Sequence, residues 1–420
     1  MQAELLATGD EIRSGAIIDT NSAYIAEKLE LAGVAVTGHR CVGDRLEDIC
    51  KALAVISQSA DVAVVTGGLG PTADDRTAQG AALAAGVDLC EDPAALRSVT
   101  RFFEKRGWPM SASNRKQALF PEGAQCLTNP VGTAPGFTLT IGACRFFFLP
   151  GVPREMKAML ERHVLPAIAA RMPGESLVRK IRVVSTFGLG ESAVGEKVRD
   201  IENDFEDLQV GLRVVFPEIH VRLYAAGVDD AEAMGKLTAA AKAVEARLGR
   251  RVVSMSGKPM AAVLGERLAA RGATLAVAES CTGGLIAKQL TDVPGSSGFF
   301  VFSGVTYANE AKMRVLGVKA ATLAAVGAVH EDTALEMAEG ARRVAGADFA
   351  IATTGIAGPE GGTADKPVGT VCLGLATPEG ARAFRHVFPF GDRDLNRRVF
   401  AATAMDHLRQ HLQGRPHPQA

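Results

Sequence analysis

The chain has 420 residues. A single ordinary hydrophobic core does not accommodate that many residues, so we expect two or three domains. Its net charge is -1, and no apolar run reaches the length of a membrane span, which argues against direct nucleic-acid binding and membrane insertion. The first residues lack the basic start of a signal peptide, and the seven cysteines form no C-x-x-C pair. We therefore expect a cytoplasmic globular protein with reduced thiols.

The first 170 residues alternate segments that are typical of strands and of helices. This alternation predicts an α/β domain with a parallel sheet covered by helices. Thr20 or Asn21 is the expected cap of the first long helix. The predicted strands are 2–8, 34–42, 61–66 and 146–149, and the predicted helices are 20–32, 45–59 and 153–171.

The strand predicted at 61–66 runs into a glycine-rich turn, Thr66-Gly-Gly-Leu-Gly-Pro-Thr-Ala-Asp-Asp75. Glycines allow the backbone to wrap around a phosphate, and the polar side chains of the turn add further contacts. The sequence leaves open that Asp74 or Asp75 only caps the following helix. The candidate ligand-binding residues here are Gly67, Gly68, Gly70, Thr72, Asp74 and Asp75.

Gly9-Asp-Glu11 ends the first predicted strand. In a parallel sheet this end reaches the same edge as the glycine-rich turn. Carboxylates that converge there can hold a divalent cation for pyrophosphate chemistry. Asp10, Glu11 and Asp75 are therefore the candidate metal ligands of the N-terminal site.

Two breaks, near residues 172–176 and at Ser256-Gly-Lys-Pro259, enclose a smaller segment. Its pattern predicts an α+β middle domain with strands at 180–186, 212–216 and 220–225 and helices at 191–201 and 230–248. The resulting domain prediction is 1–172, 173–256 and 257–414, followed by a polar tail at 415–420.

The last 160 residues return to alternation and predict a second α/β domain. The predicted helices are 260–271, 309–316, 332–345 and 394–412, with a further helix opened by the turn at 279–284. The predicted strands are 274–278, 299–307 and 349–353, with a hairpin at 368–377 and 381–388.

The segment Ala278-Glu-Ser-Cys-Thr-Gly-Gly284 lies where a predicted strand meets a helix. The N–H groups that follow Ser280 can point at a phosphate or a developing oxyanion. Lys312 can accept the proton of Ser280 if its pKa is depressed, or can hold Tyr307 ionised. Cys281 remains a competing nucleophile, and the sequence leaves open that Tyr307 and Lys312 belong to the surface.

Two further features of the last domain suit a nucleotide. Thr353-Thr354-Gly355 begins a second glycine-rich turn after a strand, where a ligand can approach the backbone closely. Arg393, Arg397 and Arg398 open the last helix and can either meet a phosphate or form a solvated face.

These motifs, together with Gly295-Ser-Ser297, Asn309 and the stretches 353–362 and 366–370, closely resemble the C-terminal domain of the CinA family over about residues 258–412. That domain is similar to nicotinamide mononucleotide deamidases. The resemblance implies hydrolysis of the carboxamide of nicotinamide mononucleotide to nicotinate mononucleotide and ammonia, without a cofactor. It implies Ser280 as nucleophile, activated by Tyr307 and Lys312. The implied substrate-binding residues are Thr282, Gly283, Gly284, Thr354, Gly355, Arg393 and Arg397.

The glycine-rich turn, Gly9-Asp-Glu-Ile, Asp19-Thr-Asn-Ser22 and Pro150-Gly-Val-Pro-Arg-Glu155 resemble the N-terminal domain of the same family. That domain is similar to molybdopterin-binding domains, and in some members it is associated with ADP-ribose pyrophosphatase activity. Asp74-Asp75 stands where molybdopterin proteins often carry Arg-Asp, which favours metal-assisted hydrolysis over pterin binding. Gly188-Leu-Gly-Glu-Ser192 also fits the family and implies a spacer with dimer contacts.

Together these features predict a homodimeric pyridine-nucleotide salvage hydrolase that acts on nicotinamide mononucleotide and ADP-ribose. Two alternatives stay open. In the first, the N-terminal domain is a molybdopterin-like binding module without turnover. In the second, the chain is an interaction protein of the competence or damage response.

Overall fold

A computed structural model describes residues 1–172 and 178–414. The chain forms two compact units, Met1–Lys180 with Ala226–Ala233 and Ile181–Ala225 with Met234–Ala420. Within the described part of the chain, no helix combines the length and the apolar composition that a membrane crossing requires.

The predicted boundaries of three domains stay a prediction. Most of the break expected at 172–176, and all of the tail expected at 415–420, lie outside the described residues.

In residues 1–172, the first unit contains eight strands: β1 Gln2–Thr8, β2 Ala35–Val42, β3 Val62–Thr66, β4 Leu89–Glu91, β5 Leu119–Pro121, β6 Gln125–Leu127, β7 Gly136–Ile141 and β8 Cys144–Leu149. Six of them form one sheet in the order β2-β1-β3-β8-β7-β6. Strands β2, β1, β3 and β8 are parallel, whereas β7 and β6 add antiparallel to the edge at β8. Strands β4 and β5 form a separate antiparallel pair.

Both faces of this sheet are covered, which confirms the predicted parallel sheet between helices. Alternate residues of β8 pack in different cores, Phe146 and Phe148 on one face and Phe147 on the other. A 3₁₀ helix lies at Ala112–Ala118 and a π turn at Leu160–Val164. The α-helices are α1 Asp10–Arg13, α2 Thr20–Leu31, α3 Leu46–Ser59, α4 Thr77–Ala85, α5 Pro93–Glu104, α6 Pro153–Met159 and α7 Leu165–Ala169.

The cap of α2 differs from the prediction. Asp19, rather than Thr20 or Asn21, is the N-cap, and its carboxylate accepts the N–H of Ser22 at 2.9 Å. Asn21 instead donates its side-chain amide to the carbonyl of Gly151 at 2.8 Å. A carboxylate is a strong cap, and the contact that engages Asn21 comes from a distant part of the chain.

The middle segment folds as α+β, as predicted. Its sheet has the order β10-β11-β9-β12, and the pairs β10–β11 and β9–β12 are antiparallel. The elements are β9 Val178–Phe187, α8 Glu191–Val198, β10 Leu208–Val215, β11 Glu218–Gly227, α9 Asp230–Leu248 and β12 Val252–Ser254.

The C-terminal sheet has the order β14-β13-β15-β16-β17, in which the first three strands are parallel and the last two antiparallel. Its strands are β13 Leu275–Glu279, β14 Phe300–Val305, β15 Phe349–Gly355, β16 Thr370–Thr377 and β17 Gly380–Val387. The helices are α10 Met260–Ala269, α11 Leu285–Thr291, α12 Asn309–Ala311, α13 Ala320–Val326, α14 Glu331–Ala345 and α15 Arg393–Leu412, with a π turn at Lys312–Leu316.

From Val399 to Gln410, helix α15 is buried on all its faces, so its sequence lacks the apolar stripe of a surface helix. Arg409 is fully buried and donates to Asp406 Oδ1 at 2.8 Å. It also donates to the carbonyls of Arg250 and Val252 at 2.7 and 2.9 Å. These oxygens offset the desolvation of the guanidinium and fix the helix whose first turn carries Arg393 and Arg397.

Candidate active site

The turn that carries Ser280 lies at the carboxyl edge of three parallel strands. Strand β13 ends at Glu279, between β14 and β15, and helix α11 begins at Leu285. Gly284 adopts φ +89°, a left-handed conformation that side chains disfavour, and this bend turns the chain into the helix. Open α/β sheets bind their ligands at this edge.

Glu279, which the sequence reasoning missed, holds this turn in place. Its side chain is fully buried. Its Oε2 accepts the N–H groups of Gly284 at 3.0 Å and Ile286 at 3.2 Å, and its Oε1 accepts that of Ala287 at 2.9 Å. The carboxylate thereby satisfies amides at the start of α11, as a cap does. An acid directly before a glycine turn and a helix is the signal that could have identified it.

Lys312 is buried, with 1% of its surface exposed, and its ammonium group reaches the serine. Lys312 Nζ lies 3.2 Å from Ser280 Oγ. It also donates to the backbone carbonyls of Thr306 at 2.9 Å and Tyr307 at 3.1 Å. Burial lowers the pKa of Lys312. A lysine with a depressed pKa beside a hydroxyl is the arrangement that general-base activation of serine requires.

Tyr307 does not contact the lysine through its phenol. Its side chain is 61% exposed, and its hydroxyl accepts a hydrogen bond from Arg393 at 3.2 Å. Only its backbone carbonyl meets Lys312 Nζ. The structure therefore brings Ser280 and Lys312 together but places the phenol of Tyr307 with the arginine.

The thiol of Cys281 is buried, and burial raises its pKa to about 12. A thiol in this state carries almost no thiolate near neutral pH, so it is a poor nucleophile. Of the two nucleophiles that the sequence left open, the geometry favours Ser280.

The predicted substrate-binding residues lie around this turn, but several already have protein partners. Thr282 Oγ1 lies 2.8 Å from Thr353 Oγ1, and Gly283 donates its N–H to the carbonyl of Ser280 at 3.1 Å. Thr354 donates its hydroxyl to the carbonyl of Ala328 at 2.8 Å. Gly355 ends β15 beside Val371 of β16, within the sheet.

The three arginines of α15 differ in their roles. Arg397 donates through Nη2 to the carbonyl of Thr282 at 2.8 Å, so it supports the turn. Arg393 donates to the carbonyl of Gly358 at 2.7 Å and to the phenol of Tyr307. Arg398 bonds to the carbonyl of Phe216 instead. Arg393 is consequently the arginine best placed to meet a ligand.

The glycine-rich turn of the first unit lies at the carboxyl edge of its own sheet, as expected. Strands β1 and β3 are parallel neighbours in which Ala7 pairs with Thr66, so Gly9 and Gly67 follow at the same edge. Gly67 has φ +103°, and a side chain there would collide with the carbonyl of Thr8. The carbonyl of Gly68 accepts the N–H of Thr77 at 3.1 Å. The turn therefore leads directly into α4.

Asp75 is used within the turn itself. Its Oδ2 accepts the N–H of Thr72 at 2.8 Å and also the Thr72 hydroxyl. The N-cap of α4 is Arg76, without a side-chain cap, so neither aspartate caps that helix in this way. Hydrogen bonding from Thr72 lowers the pKa of Asp74, which is exposed. A hollow of about 220 Å³ is lined by Gly68, Gly70, Asp75 and Lys116 among others.

The acids predicted to hold a metal do not form a ready-made site. Asp10 donates its N–H to Asp44 Oδ2 at 3.0 Å, and its carboxylate accepts from Arg13 at 3.1 Å. Burial, and then the charges of Asp10, Glu11 and Asp74, raise the pKa of Asp44, an acid that the sequence reasoning missed. Among residues 1–172 and 178–414, no group of three or more His, Cys, Asp or Glu side chains is arranged to hold a metal ion.

Comparison with known proteins finds matches over nearly the whole chain. Residues 257–412 match the CinA C-terminal domain, residues 4–170 a probable molybdopterin binding domain, and residues 181–254 the damage-inducible protein CinA KH domain. A CinA-like protein of Desulfosudis oleivorans is 50% identical over 98% of this chain and 100% of its own length. A CinA-like protein of Geobacter sulfurreducens is 45% identical over 98% of this chain and 99% of its own.

Among solved structures, the competence/damage inducible protein CihA from Agrobacterium tumefaciens is similar to part of the chain. It is 40% identical, with a TM-score of 0.35, over 37% of this chain and 97% of its own.

Proposed function

Because the chain belongs to the CinA family, we propose that its C-terminal site is a serine amidohydrolase that converts nicotinamide mononucleotide to nicotinate mononucleotide and ammonia. The observation that carries the proposal is the 3.2 Å contact between Ser280 Oγ and the buried Lys312 Nζ. Amide hydrolysis needs a nucleophile, a base and N–H donors for the oxyanion, and the turn supports all three roles.

In the first half of the proposed reaction, neutral Lys312 accepts the proton of Ser280. The serine oxygen attacks the carboxamide carbon, and the carbonyl electrons move to its oxygen. The N–H groups of Cys281 and Thr282 are the candidate donors to this oxyanion, because those of Gly283 and Gly284 are bonded within the turn. The proton on Lys312 then passes to the nitrogen, the C–N bond breaks, and ammonia leaves an ester on Ser280.

In the second half, a water molecule gives its proton to Lys312 and attacks the ester carbon. The bond to Ser280 breaks, and Lys312 returns the proton to the serine oxygen. The carboxylic acid that forms loses its remaining proton to solvent and leaves as the carboxylate. Lys312 thus serves as base and acid in both halves. Its burial supports this role, because it keeps the amine neutral at a lower pH than in water.

Arg393 is suited to bind the phosphate of the substrate. Its guanidinium is held by one protein carbonyl and by the exposed phenol of Tyr307. A planar guanidinium binds phosphate bidentately, and an aromatic ring beside it can pack on a nicotinamide or ribose. We assign Tyr307 to substrate contact and positioning of Arg393 rather than to proton transfer.

The experiment is ammonia release from nicotinamide mononucleotide by the purified full chain, with and without chelator. Ser280→Ala is expected to lose at least about 10³-fold in kcat. Ser192→Ala, an exposed serine of the same unit, is the matched control and should keep full activity. Equal ammonia release from wild type and a folded Ser280→Ala variant would exclude the serine mechanism.

The N-terminal site supports a second, narrower proposal, the binding of ADP-ribose at the glycine-rich turn. The hollow beside Gly68 and Gly70 and the ammonium group of Lys116 suit a phosphorylated ligand. Lys116 already contacts the carbonyl of Thr72 in that turn. Because the acids are not arranged as a metal site, we derive no hydrolytic step there.

Calorimetric titration of the full chain with ADP-ribose tests this second proposal. Lys116→Gln should weaken binding about tenfold or more, and Lys51→Gln, outside the hollow, should not. Saturable binding without turnover would favour the binding module over the pyrophosphatase. Absence of binding at millimolar ligand would favour a molybdopterin-like ligand or a role in protein interaction.

A further inference from the structure

A second concave surface of the first unit is strongly basic and plays no part in the sites above. The groove has a volume of about 670 Å³ and lies between helix α5 and the segment 128–132. No carboxylate is among the residues that line it. Its five cationic side chains are Arg97, Arg101, Lys105, Arg106 and Arg162.

Three of these cations form a stripe along α5. Arg97 and Arg101 of the helix and its C-cap residue Lys105 are spaced four residues apart, so they lie on one face and extend over about 12 Å. The helix buries Ala95 and Val99 on its other side. Like charges at this spacing repel each other and destabilise a helix. The stripe is therefore unfavourable unless an anion offsets it.

The cations of the groove have no carboxylate partner within the protein. Among the described residues, none of the five forms an ion pair within 4.0 Å, whereas Arg13 and Arg40 of the same unit pair with Asp10 and Glu4. The chain as a whole has 46 basic and 47 acidic residues. The groove is thus a local concentration of positive charge rather than a consequence of a basic composition.

The opposite wall is held rigidly. Asn129 Oδ1 accepts the N–H groups of Val131 and Gly132 at 3.0 and 2.8 Å. Its side-chain amide donates to the carbonyl of Ala134 at 2.9 Å and to Glu155 at 2.6 Å. These bonds fix the segment 128–132 without a ligand, so the groove is preformed. Preformed sites bind without the entropic cost of ordering a loop.

We propose that this groove binds the phosphate chain of a small polyphosphate, either inorganic or carried by a nucleoside. The stripe presents cations in a row, which matches successive phosphates better than a single anion. Phe102 is the one aromatic side chain among the lining residues, so the groove lacks the series of stacking rings typical of single-stranded nucleic-acid sites. It also shares no lining residue with the hollow at the glycine-rich turn.

The chain carries its own reporter for this test. Trp108 is the single tryptophan, and the guanidinium carbon of Arg106 lies 5.8 Å from the centre of its ring. Titration of the full chain with inorganic tripolyphosphate should change the tryptophan fluorescence saturably, with calorimetry as the second readout. Affinity should fall steeply as sodium chloride is raised. Tighter binding of ATP than of tripolyphosphate would identify a nucleoside polyphosphate, and equal binding the phosphate chain alone.

The double variant Arg101→Gln/Lys105→Gln should weaken tripolyphosphate binding at least about tenfold. Its matched control, Arg45→Gln/Lys51→Gln, removes two exposed cations of the same unit and should stay within about twofold. A loss of tripolyphosphate binding in Lys116→Gln but not in the double variant would place the ligand at the glycine-rich turn and overturn the proposal. The proposal is overturned by absence of saturable binding at millimolar ligand, or by equal losses in the control. Tenfold tighter binding of a single-stranded oligonucleotide that the double variant abolishes would overturn it in favour of a nucleic-acid surface.

Discussion

The two glycine-rich turns of this chain begin alike and end with different chemistry. Each follows a buried parallel strand, carries hydroxyl and acidic groups, and leads into a helix at the carboxyl edge of its sheet. In the C-terminal turn, a buried lysine from a later segment reaches the hydroxyl of Ser280. In the N-terminal turn, the acid Asp75 folds back onto Thr72.

The difference lies in what the rest of the fold delivers to each turn. Burial lowers the pKa of Lys312, and the fold places the amine of this lysine beside a potential nucleophile. This combination is typical of a reactive site. Around the N-terminal turn, the acids are largely exposed, and one of them serves the backbone. A glycine-rich turn therefore predicts where a ligand binds, whereas the neighbouring segments decide whether chemistry follows.

Replacement of Lys312 should have the largest effect on the reactivity that distinguishes the C-terminal turn from the N-terminal turn. Lys312→Met keeps the volume of the side chain but removes the amine, so we expect kcat for ammonia release to fall about 10²–10⁴-fold. Lys288→Met, which replaces an exposed lysine of α11, should retain activity. Full activity in a folded Lys312→Met variant would assign the base elsewhere.

The carboxylate that fixes the C-terminal turn should have the second largest effect. Glu279→Gln replaces a buried acceptor of three N–H groups by a group that also donates, so the turn that carries Ser280 shifts. We expect kcat to fall about tenfold to 10²-fold and unfolding free energy by about 1–3 kcal/mol. Urea unfolding and kinetics measure both. A loss of stability with kcat unchanged would limit Glu279 to a structural role.

The pH dependence of the C-terminal site should follow the lysine. Its pKa is lowered from 10.5, and the base is active when neutral, so kcat/KM should rise with pH and level off below pH 10.5. Between its folded pKa and 10.5 the unfolded chain binds more protons, so the unfolding free energy should also rise with pH there. Lys312→Met should lose this contribution to the slope. A kcat/KM that is flat from about pH 5 to 10 would contradict a neutral lysine base.

The N-terminal turn should respond in stability rather than in ammonia release. Asp75→Asn weakens the bonds to Thr72, so we expect a loss of about 0.5–1.5 kcal/mol in unfolding free energy. Ammonia release should not change, because the two turns belong to different compact units. A parallel fall in kcat for ammonia release would show that the two sites are coupled.

The smallest effect is expected at the buried thiol. Cys281→Ala removes a side chain whose pKa of about 12 keeps it protonated, so kcat should change less than about fivefold. Ammonia-release kinetics check this expectation. A loss as large as that of Ser280→Ala would make the thiol the nucleophile instead.

Most elements of the fold could be predicted because their signals are local. The segments 62–65 and 275–278 are continuous apolar runs, as expected of strands that are buried on both faces. In α14, by contrast, buried residues recur with the period of a helix, so the sequence distinguishes the strands from the helix. Helix α15 gave no amphipathic signal because most of it is buried all around, yet a helix was predicted at 394–412. The short helix α13 was missed, since its seven residues offer two turns at most. Helix α5 and strands β4 to β7 were missed as well, since no element was predicted between residues 86 and 145.

The site could be predicted only in part. Ser280 and Lys312 were chosen for their chemistry, and they lie 3.2 Å apart. The phenol of Tyr307 turns to Arg393, and Glu279 and Asp44 were overlooked, because a sequence does not say which way a side chain points. Membership of the CinA family was identified correctly from the motifs, and a relative that is 50% identical over its full length supports it.

The sequence by itself determined most of the strands and helices, the position of both glycine-rich turns and the residue types available at each. These follow from periodicity and from the conformations that glycine permits, which are properties of neighbouring residues. The tertiary structure alone decided that Lys312 is buried against Ser280 and that the thiol of Cys281 is buried. It also decided that the carboxylate of Asp75 accepts hydrogen bonds from Thr72. Burial and hydrogen-bond partners set protonation and reactivity, and at the C-terminal turn they come from segments far apart in the chain.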